Sequence, residues 1–460
     1  MDDFIGLAIP TSLPQLRHFS NAVMYGIHDV FPPHDEELLD PISAHKLYKG
    51  DGVWATQKDI LGLTFDGDAK TLWLEAEKRD TLISIISGWL RVGRTKRIGI
   101  PFVEFQSVIS KLRHAFFTIP AGYGLMSPFN GILRLQPRHI FLHRNKPLVT
   151  ALTECRTFLR ESVSRPTKCS SLVQAWPDYV GITDASSFGA GGIIIGENKA
   201  IPPTVFRVQW PPDITKNIIS FDNPTGSITN SDVEMAGLML LWIAIEGVCM
   251  NLEDAHVALF SDNSPTVSWV DRLAARSSNV AMQLLRTLAL RLQLTRTSPL
   301  TSLHIPGHQN AITDIPSRSF GSVSKWKCDS DDDLRSLFNA TFPLPLQASW
   351  NVYRIAPALC MRVISTLRMR PFTTDEWRRL PPRGSFGGPL GSPISALWDW
   401  TLIYRVSSIH SKSEHSQDLQ DEYEQDIMAE AAKFQLRQSL ARSQPLVRRL
   451  PWPAETIPRN

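Results

Sequence analysis

The chain has 460 residues, 43% hydrophobic and 20% charged, which is enough to bury sizeable cores in two or three domains and too apolar for a disordered tail. Its 48 Lys and Arg against 45 Asp and Glu give a formal net charge of +3, too small to identify a partner, so motifs must do that. The five cysteines (Cys155, Cys169, Cys249, Cys328, Cys360) are scattered, with no C-x-x-C pair and no zinc-like His spacing, which excludes a disulfide framework and fits an intracellular chain of cytoplasm or nucleus.

The start, "MDDFIGLAIP", sets Asp2 and Asp3 before a strand-like apolar run. Adjacent carboxylates suit the tip of a β-hairpin, where they can hold metal ions, but a hairpin needs a first strand, so the start reads as cut. It also lacks the basic and apolar regions of a secretory leader. The most apolar stretch, "MLLWIAIEGVCM", is short and interrupted by Glu246, so no membrane partner is expected.

Within 1–160, "DILGLTFDGDAKTLWLEAEK" has two alternating apolar runs around "DGDAK" and predicts a β-hairpin. Two amphipathic helices follow, "EKRDTLISIISGWLRVG" and "PFVEFQSVISKLRHAFFTIP". Arg91, Arg94, Lys96, Arg97, Lys111 and Arg113 make this segment basic, a pattern shared by solvated helix faces and by faces that meet nucleic acid.

From 175 to 320 the pattern predicts an α/β domain of order βββαβααβ with a mixed sheet. The strands are "YVGITDAS", "GAGGIIIG", "PPTVFRVQW", "HVALFSD" and "LTSLHI". "SDVEMAGLMLLWIAIEGVC" is apolar nearly all round and predicts a buried helix; "PTVSWVDRLAA" and "NVAMQLLRTLALRLQL" predict two more. The remainder, 321–460, reads as a C-terminal extension, mostly helical and partly disordered. Residues 326–370 look globular, "WRRLPPRGSFGGPLGSPIS" is a Pro/Gly linker, and 412–442 is a charged helix candidate.

Four acids fall at the ends of strands or the starts of helices: Asp184, Glu234, Asp262 and Asp314. With the first and fourth strands side by side, Asp184 and Asp262 meet and the first helix presents Glu234 to them. Like charges held close need cations. Mg²⁺ suits such oxygen ligands, and two ions about 3.5–4 Å apart support in-line phosphodiester cleavage. Each acid also has a plain alternative. Ser231 and Glu234 spell a capping box; Asp262 precedes "NSP", with Ser264 as N-cap and Pro265 at N1; Asp184 can be a turn residue and Asp314 a helix cap.

The series "TDASSFGAGG", "SDVEMAGL", "FSDNSPTVSW" and "IPGHQNAITDIPSR" resembles, in order and spacing, the ribonuclease H domain of retroelement Pol proteins of gypsy-like or DIRS-like style. The resemblance implies a ribonuclease H-like mixed sheet flanked by helices. It also implies an Asp184, Glu234, Asp262 and Asp314 set binding two Mg²⁺, with Mn²⁺ as substitute, to cut the RNA strand of an RNA–DNA hybrid. His308 matches the family's loop histidine, which helps with protons or product release; His304 is the alternative, on a strand. The loop from His308 to Asp314 is shorter than in cellular ribonucleases H.

"MDDFIGLA" likewise resembles the end of the Y-x-D-D motif of reverse transcriptases. The hairpin then resembles the primer grip, and the basic helices the thumb and connection. Residues 1–160 are thus expected to be a partial α+β reverse transcriptase without polymerase activity, with 175–320 the ribonuclease H-like domain. Implied partners are the hybrid, the nucleic-acid backbone and other parts of the Pol polyprotein. The rival readings are an inactive nucleic-acid-binding relic of such a protein and a transposase-type nuclease on the same fold.

Overall fold

The computed structural model describes residues 12–30, 53–95 and 99–368, apart from 163–165, 174, 197–200, 222, 276–277, 322–323 and 346–347. Asp2, Asp3, Lys96, Arg97, the Pro/Gly linker and the charged helix candidate lie outside the described residues. Among those described, no helix is long and apolar enough to cross a membrane.

The amphipathic helix α1 (Leu13–Val30) comes first. Strands β1 (Gln57–Ile60), β2 (Leu63–Asp66) and β3 (Thr71–Leu74) then form an antiparallel meander. The β1–β2 turn places Leu61 at φ 52° and Gly62 at φ 80°, the left-handed pair that a two-residue hairpin of type I′ requires. The β2–β3 turn is the hairpin around "DGDAK". The predicted helices appear as α2 (Ala76–Thr95) and, past β4 (Ile100–Pro101), α3 (Phe102–Ala115).

Two further helices, α4 (Ser127–Leu135) and α5 (Lys146–Glu161), flank β5 (His139–Ile140), the partner of β4. β6 (Thr167–Lys168) closes the meander on β3. Phe105, Phe116, Phe129 and Phe158, all fully buried, fill the core between these helices. At roughly 1.5–3 kcal/mol per buried apolar side chain, that core holds the helices together.

A six-stranded sheet follows, in the order β11-β10-β7-β8-β9-β12. Its strands are β7 (Tyr179–Ala185), β8 (Gly189–Gly196), β9 (Thr204–Gln209), β10 (Val257–Ser261), β11 (Thr301–His304) and β12 (Asn351–Tyr353). Only β8 runs against the others. Helix α6 (Asn230–Val248) is buried from Asp232 through Glu246. It lies on β7 and β8 and is covered by α8 (Asn279–Thr295) and α11 (Pro357–Leu367), which explains why it is apolar all round. The shorter α7 (Ser264–Asp271), α9 (Ala311–Arg318) and α10 (Asp331–Thr341) lie around the sheet, besides a single helical turn at Pro212–Thr215.

The sheet does not stop at the boundary expected at 320. Residues 351–353 add a parallel edge strand to β9, and Val363, Ile364 and Leu367 of α11 enter the same core as α6.

Helix α8 serves two cores. Leu284, Leu285, Leu288 and Leu292 pack under the sheet, whereas Leu290 belongs to the core of α2–α5. Gly124 approaches so closely that a Cβ there would stand 2.5 Å from the Ala289 Cβ. Beside it, Arg286 Nε donates to Glu154 Oε2 at 2.7 Å, and Nη2 donates to Oε1. A second buried pair ties α8 to α6: Arg291 Nε donates at 2.8 Å to both oxygens of Glu246, which also accepts from Trp242 Nε1 at 2.6 Å.

Candidate metal centre

Strands β7 and β10 are parallel neighbours, with Tyr179 opposite Val257 and Ile182 opposite Phe260. Their C-terminal ends therefore lie side by side. Asp184 stands near the end of β7, and Asp262 follows directly on Ser261. Glu234, the fifth residue of α6, reaches the same point, and one oxygen from each of the three carboxyls lies within 4.8 Å of the others. Asp184 and Glu234 are buried, and Asp262 is half-buried.

The capping alternative for Glu234 does not hold. The box at the start of α6 is made by Thr229 and Asp232: the Asp232 N–H donates to Thr229 Oγ1 at 3.2 Å, and the Thr229 N–H to Asp232 Oδ2 at 3.0 Å. Ser278 Oγ also donates to Asp232, which fixes that choice. The cap after Asp262 also differs from the one expected. The N-cap of α7 is Asn263, not Ser264, with Oδ1 accepting from the Thr266 N–H at 3.0 Å.

Each acid has a different environment. The Glu234 carboxylate accepts a bond from the Ala185 backbone, while its Oε2 is buried with no hydrogen-bond partner. Asp184 accepts at Oδ2 from Ser317 Oγ. Asp262 accepts from the Asn310 side chain, whose Nδ2 also donates to Thr183 O at 3.3 Å. Asp314, on α9, stands outside the close trio and pairs with Arg318 at 2.7 Å. It remains near enough to act electrostatically on Asp184 and Glu234.

Helix α9 can lie this low over β8 because residue 191 is glycine: a Cβ there would meet Pro316 Cβ and Ser317 N at 2.6 Å. This is the physical use of the "GAGG" run. His304 ends β11 with Nε2 3.1 Å from the Asp262 carbonyl oxygen. His308 lies in the short turn Gly307–Gln309, and neither it nor Asp314 belongs to the trio. Ser317 and Asn310 went unassigned in the sequence. The available signal was their spacing from Asp314, three residues after it and four before, which is helical spacing onto one face.

All four acids hold their protons more tightly than usual. Burial carries Asp184 from 3.8 to about 7, assisted by the charges of Asp314 and Asp262 and opposed by the Ser317 hydroxyl. Burial, then Asp184 and Asp262, push Glu234 well above the usual carboxylate range. Burial likewise raises Asp262 and Asp314, with Arg318 opposing it at both. Such a cluster binds either protons or a cation. An all-oxygen donor set with one buried oxygen left over fits a hard divalent metal.

No protein-family model matches the chain, and neither does any curated protein. Among solved structures, the chain is similar to a foamy viral protease-reverse transcriptase in complex with dsDNA, at TM-score 0.23 and 10% identity over 63% of this chain and 59% of that one. The same protein in complex with an RNA/DNA hybrid gives TM-score 0.22 and 10% identity over 63% and 38%. The foamy viral protease-reverse transcriptase dRH in complex with dsDNA gives TM-score 0.22 and 11% identity over 63% and 48%. The chain thus matches less than two thirds of the length of each of these.

Proposed function

We propose that the chain is a metal-dependent endoribonuclease that hydrolyses RNA in RNA–DNA hybrids, using Mg²⁺ with Mn²⁺ as substitute. The observation that carries this reading is the close trio of Asp184, Glu234 and half-buried Asp262, with the buried Glu234 Oε2 left without a partner. An orphaned buried oxygen among like charges is costly in a purely structural role, and a hard cation removes that cost. Bound there, Mg²⁺ supplies Lewis acidity and an activated water for breaking a phosphodiester P–O bond.

The protein's own part is placement. Asp184, Glu234 and Asp262 supply oxygens from three elements of one rigid sheet-and-helix layer, and Asn310 orients Asp262. Asp314, paired with Arg318, would supply a fourth carboxylate for a second divalent cation. His308 is the candidate for handling protons at the leaving oxygen, a role that rests on the resemblance of its loop. Recognition of the hybrid through A-form shape and 2′-hydroxyls follows from the same reading.

The test uses the full chain, a hybrid labelled on its RNA strand, and the Glu234→Gln variant. Cleavage should require Mg²⁺, stop with EDTA and fall by orders of magnitude in Glu234→Gln, whose thermal midpoint should not drop in metal-free buffer. EDTA-resistant cleavage, or a variant that cuts like the parent, would overturn the reading. A folded parent that binds the hybrid and never cuts it would favour the inactive relic.

A further inference from the structure

We infer that Ser317 is a positioning residue that orients the Asp184 carboxylate for metal binding; this rests on the trio being a metal site. Ser317 is fully buried, a costly place for a hydroxyl unless it is bonded. Its Oγ donates to Asp184 Oδ2. The competing acceptor is the Asp314 carbonyl at 3.2 Å, a neutral group, and a charged acceptor draws the hydroxyl more strongly. The Ser317 carbonyl is itself held by Ser186 Oγ at 2.8 Å.

Gly191 is the cross-strand partner of Asp184 and leaves the space into which the Ser317 backbone descends. The missing side chain on β8, the grip on the Ser317 carbonyl and the aimed hydroxyl therefore act on one carboxylate. The hydroxyl on Oδ2 limits rotation of the carboxyl plane and leaves Oδ1 and the second lone pair of Oδ2 for cations. Because Ser317 is one helical turn from Asp314, the same contact holds Asp184 and Asp314 in register.

The prediction is a weaker metal site with its ligands still present. Hydrogen-bond partners of ligating carboxylates typically contribute about 10–100-fold to metal affinity. Titrating the full chain with Mg²⁺ by calorimetry, and following hybrid cleavage against Mg²⁺ concentration, should show Ser317→Ala weakened by that factor in both. Its rate at saturating Mg²⁺ should stay within a few fold of the parent's. Ser317→Thr, which keeps the hydroxyl, should restore the affinity. Should Ser317→Ala fail to fold, Ser317→Cys, similar in shape and a poor donor, gives the same reading and should be weakened too.

A Ser317 variant without the hydroxyl that binds Mg²⁺ like the parent would remove the positioning role and leave the carboxylate site standing. A parent that takes up no Mg²⁺ would remove both. A loss confined to saturating rate, with Mg²⁺ affinity unchanged, also counts against the inference.

Discussion

Replacing Asp184 with asparagine should make the metal-free protein more stable and abolish the proposed metal-dependent cleavage. Burial and neighbouring charges carry the Asp184 carboxyl from 3.8 to about 7, so between those values the folded state holds a proton that the unfolded chain has released. Stability then falls as pH rises across this window and levels off above it. At pH 8 the ionised group costs roughly 4 kcal/mol, taking 1.36 kcal/mol per pH unit. Asparagine matches the neutral acid in shape and still accepts from Ser317, so it removes that cost.

The measurement is a series of thermal melts in EDTA from pH 4 to pH 8, parent beside Asp184→Asn. The curves should coincide near pH 4 and separate towards pH 8, where the variant melts higher by about 6 °C for a cooperative unit of this size. Added Mg²⁺ should raise the parent's midpoint and leave the variant's where it was, and hybrid cleavage by the variant should be lost. A variant no more stable than the parent at pH 8 in EDTA would refute the argument, because Asp184 would then carry no electrostatic cost for a cation to relieve.

Breaking the Glu154–Arg286 pair by Arg286→Ala leaves Glu154, 4% exposed at its side chain, as a buried uncompensated charge. Denaturant melts should show a loss of about 3–5 kcal/mol, and Glu154→Leu with Arg286→Met should recover most of it. No Asp or Glu occurs between Glu104 and Glu154, and Arg138, His139, Phe141, His143, Arg144 and Lys146 are all exposed. Replacing Arg138, Arg144 and Lys146 by Ala should weaken hybrid binding and flatten its salt dependence by up to about one logarithmic slope unit per cation, as measured by fluorescence anisotropy at several salt concentrations. An unchanged slope would show that this face does not touch phosphate.

The convergence of Asp184, Glu234 and Asp262 could be read from the sequence because each ends an apolar strand or opens a helix, and a strand end in an α/β layer is where side chains leave the sheet. Their local alternatives could not be resolved in the same way. Thr229-x-x-Asp232 and Ser231-x-x-Glu234 are overlapping capping boxes of similar local quality, and a contact from Ser278, 46 positions away, selects the first. Helix α5 had a readable signal, Asn145 as N-cap with Pro147 just inside. Strand β12 had none: three residues show no periodicity, and "NVY" is a strand only because the edge of β9 offers it unpaired backbone groups. For Ser317 the three-residue spacing from Asp314 was the one signal, and it is weak, since a serine near a helix end ordinarily faces solvent.

The near-contact of Gly124 with Ala289 bears on how sequences of this kind can drift. With 2.5 Å between a notional Cβ and a real one, neither position can gain bulk unless the other gives way, and glycine at 124 has nothing left to give. Substitution histories at the two sites should therefore be linked: where 124 carries a side chain, 289 should be glycine or α8 should be displaced outward. Arg286, one helical turn before Ala289, ties the charge at 154 to the same constraint. Variation in the first core is thus inherited by the second through a single helix face, and a block of sequence exchanged on one side of it alone would bring the wrong partner for the helix it meets.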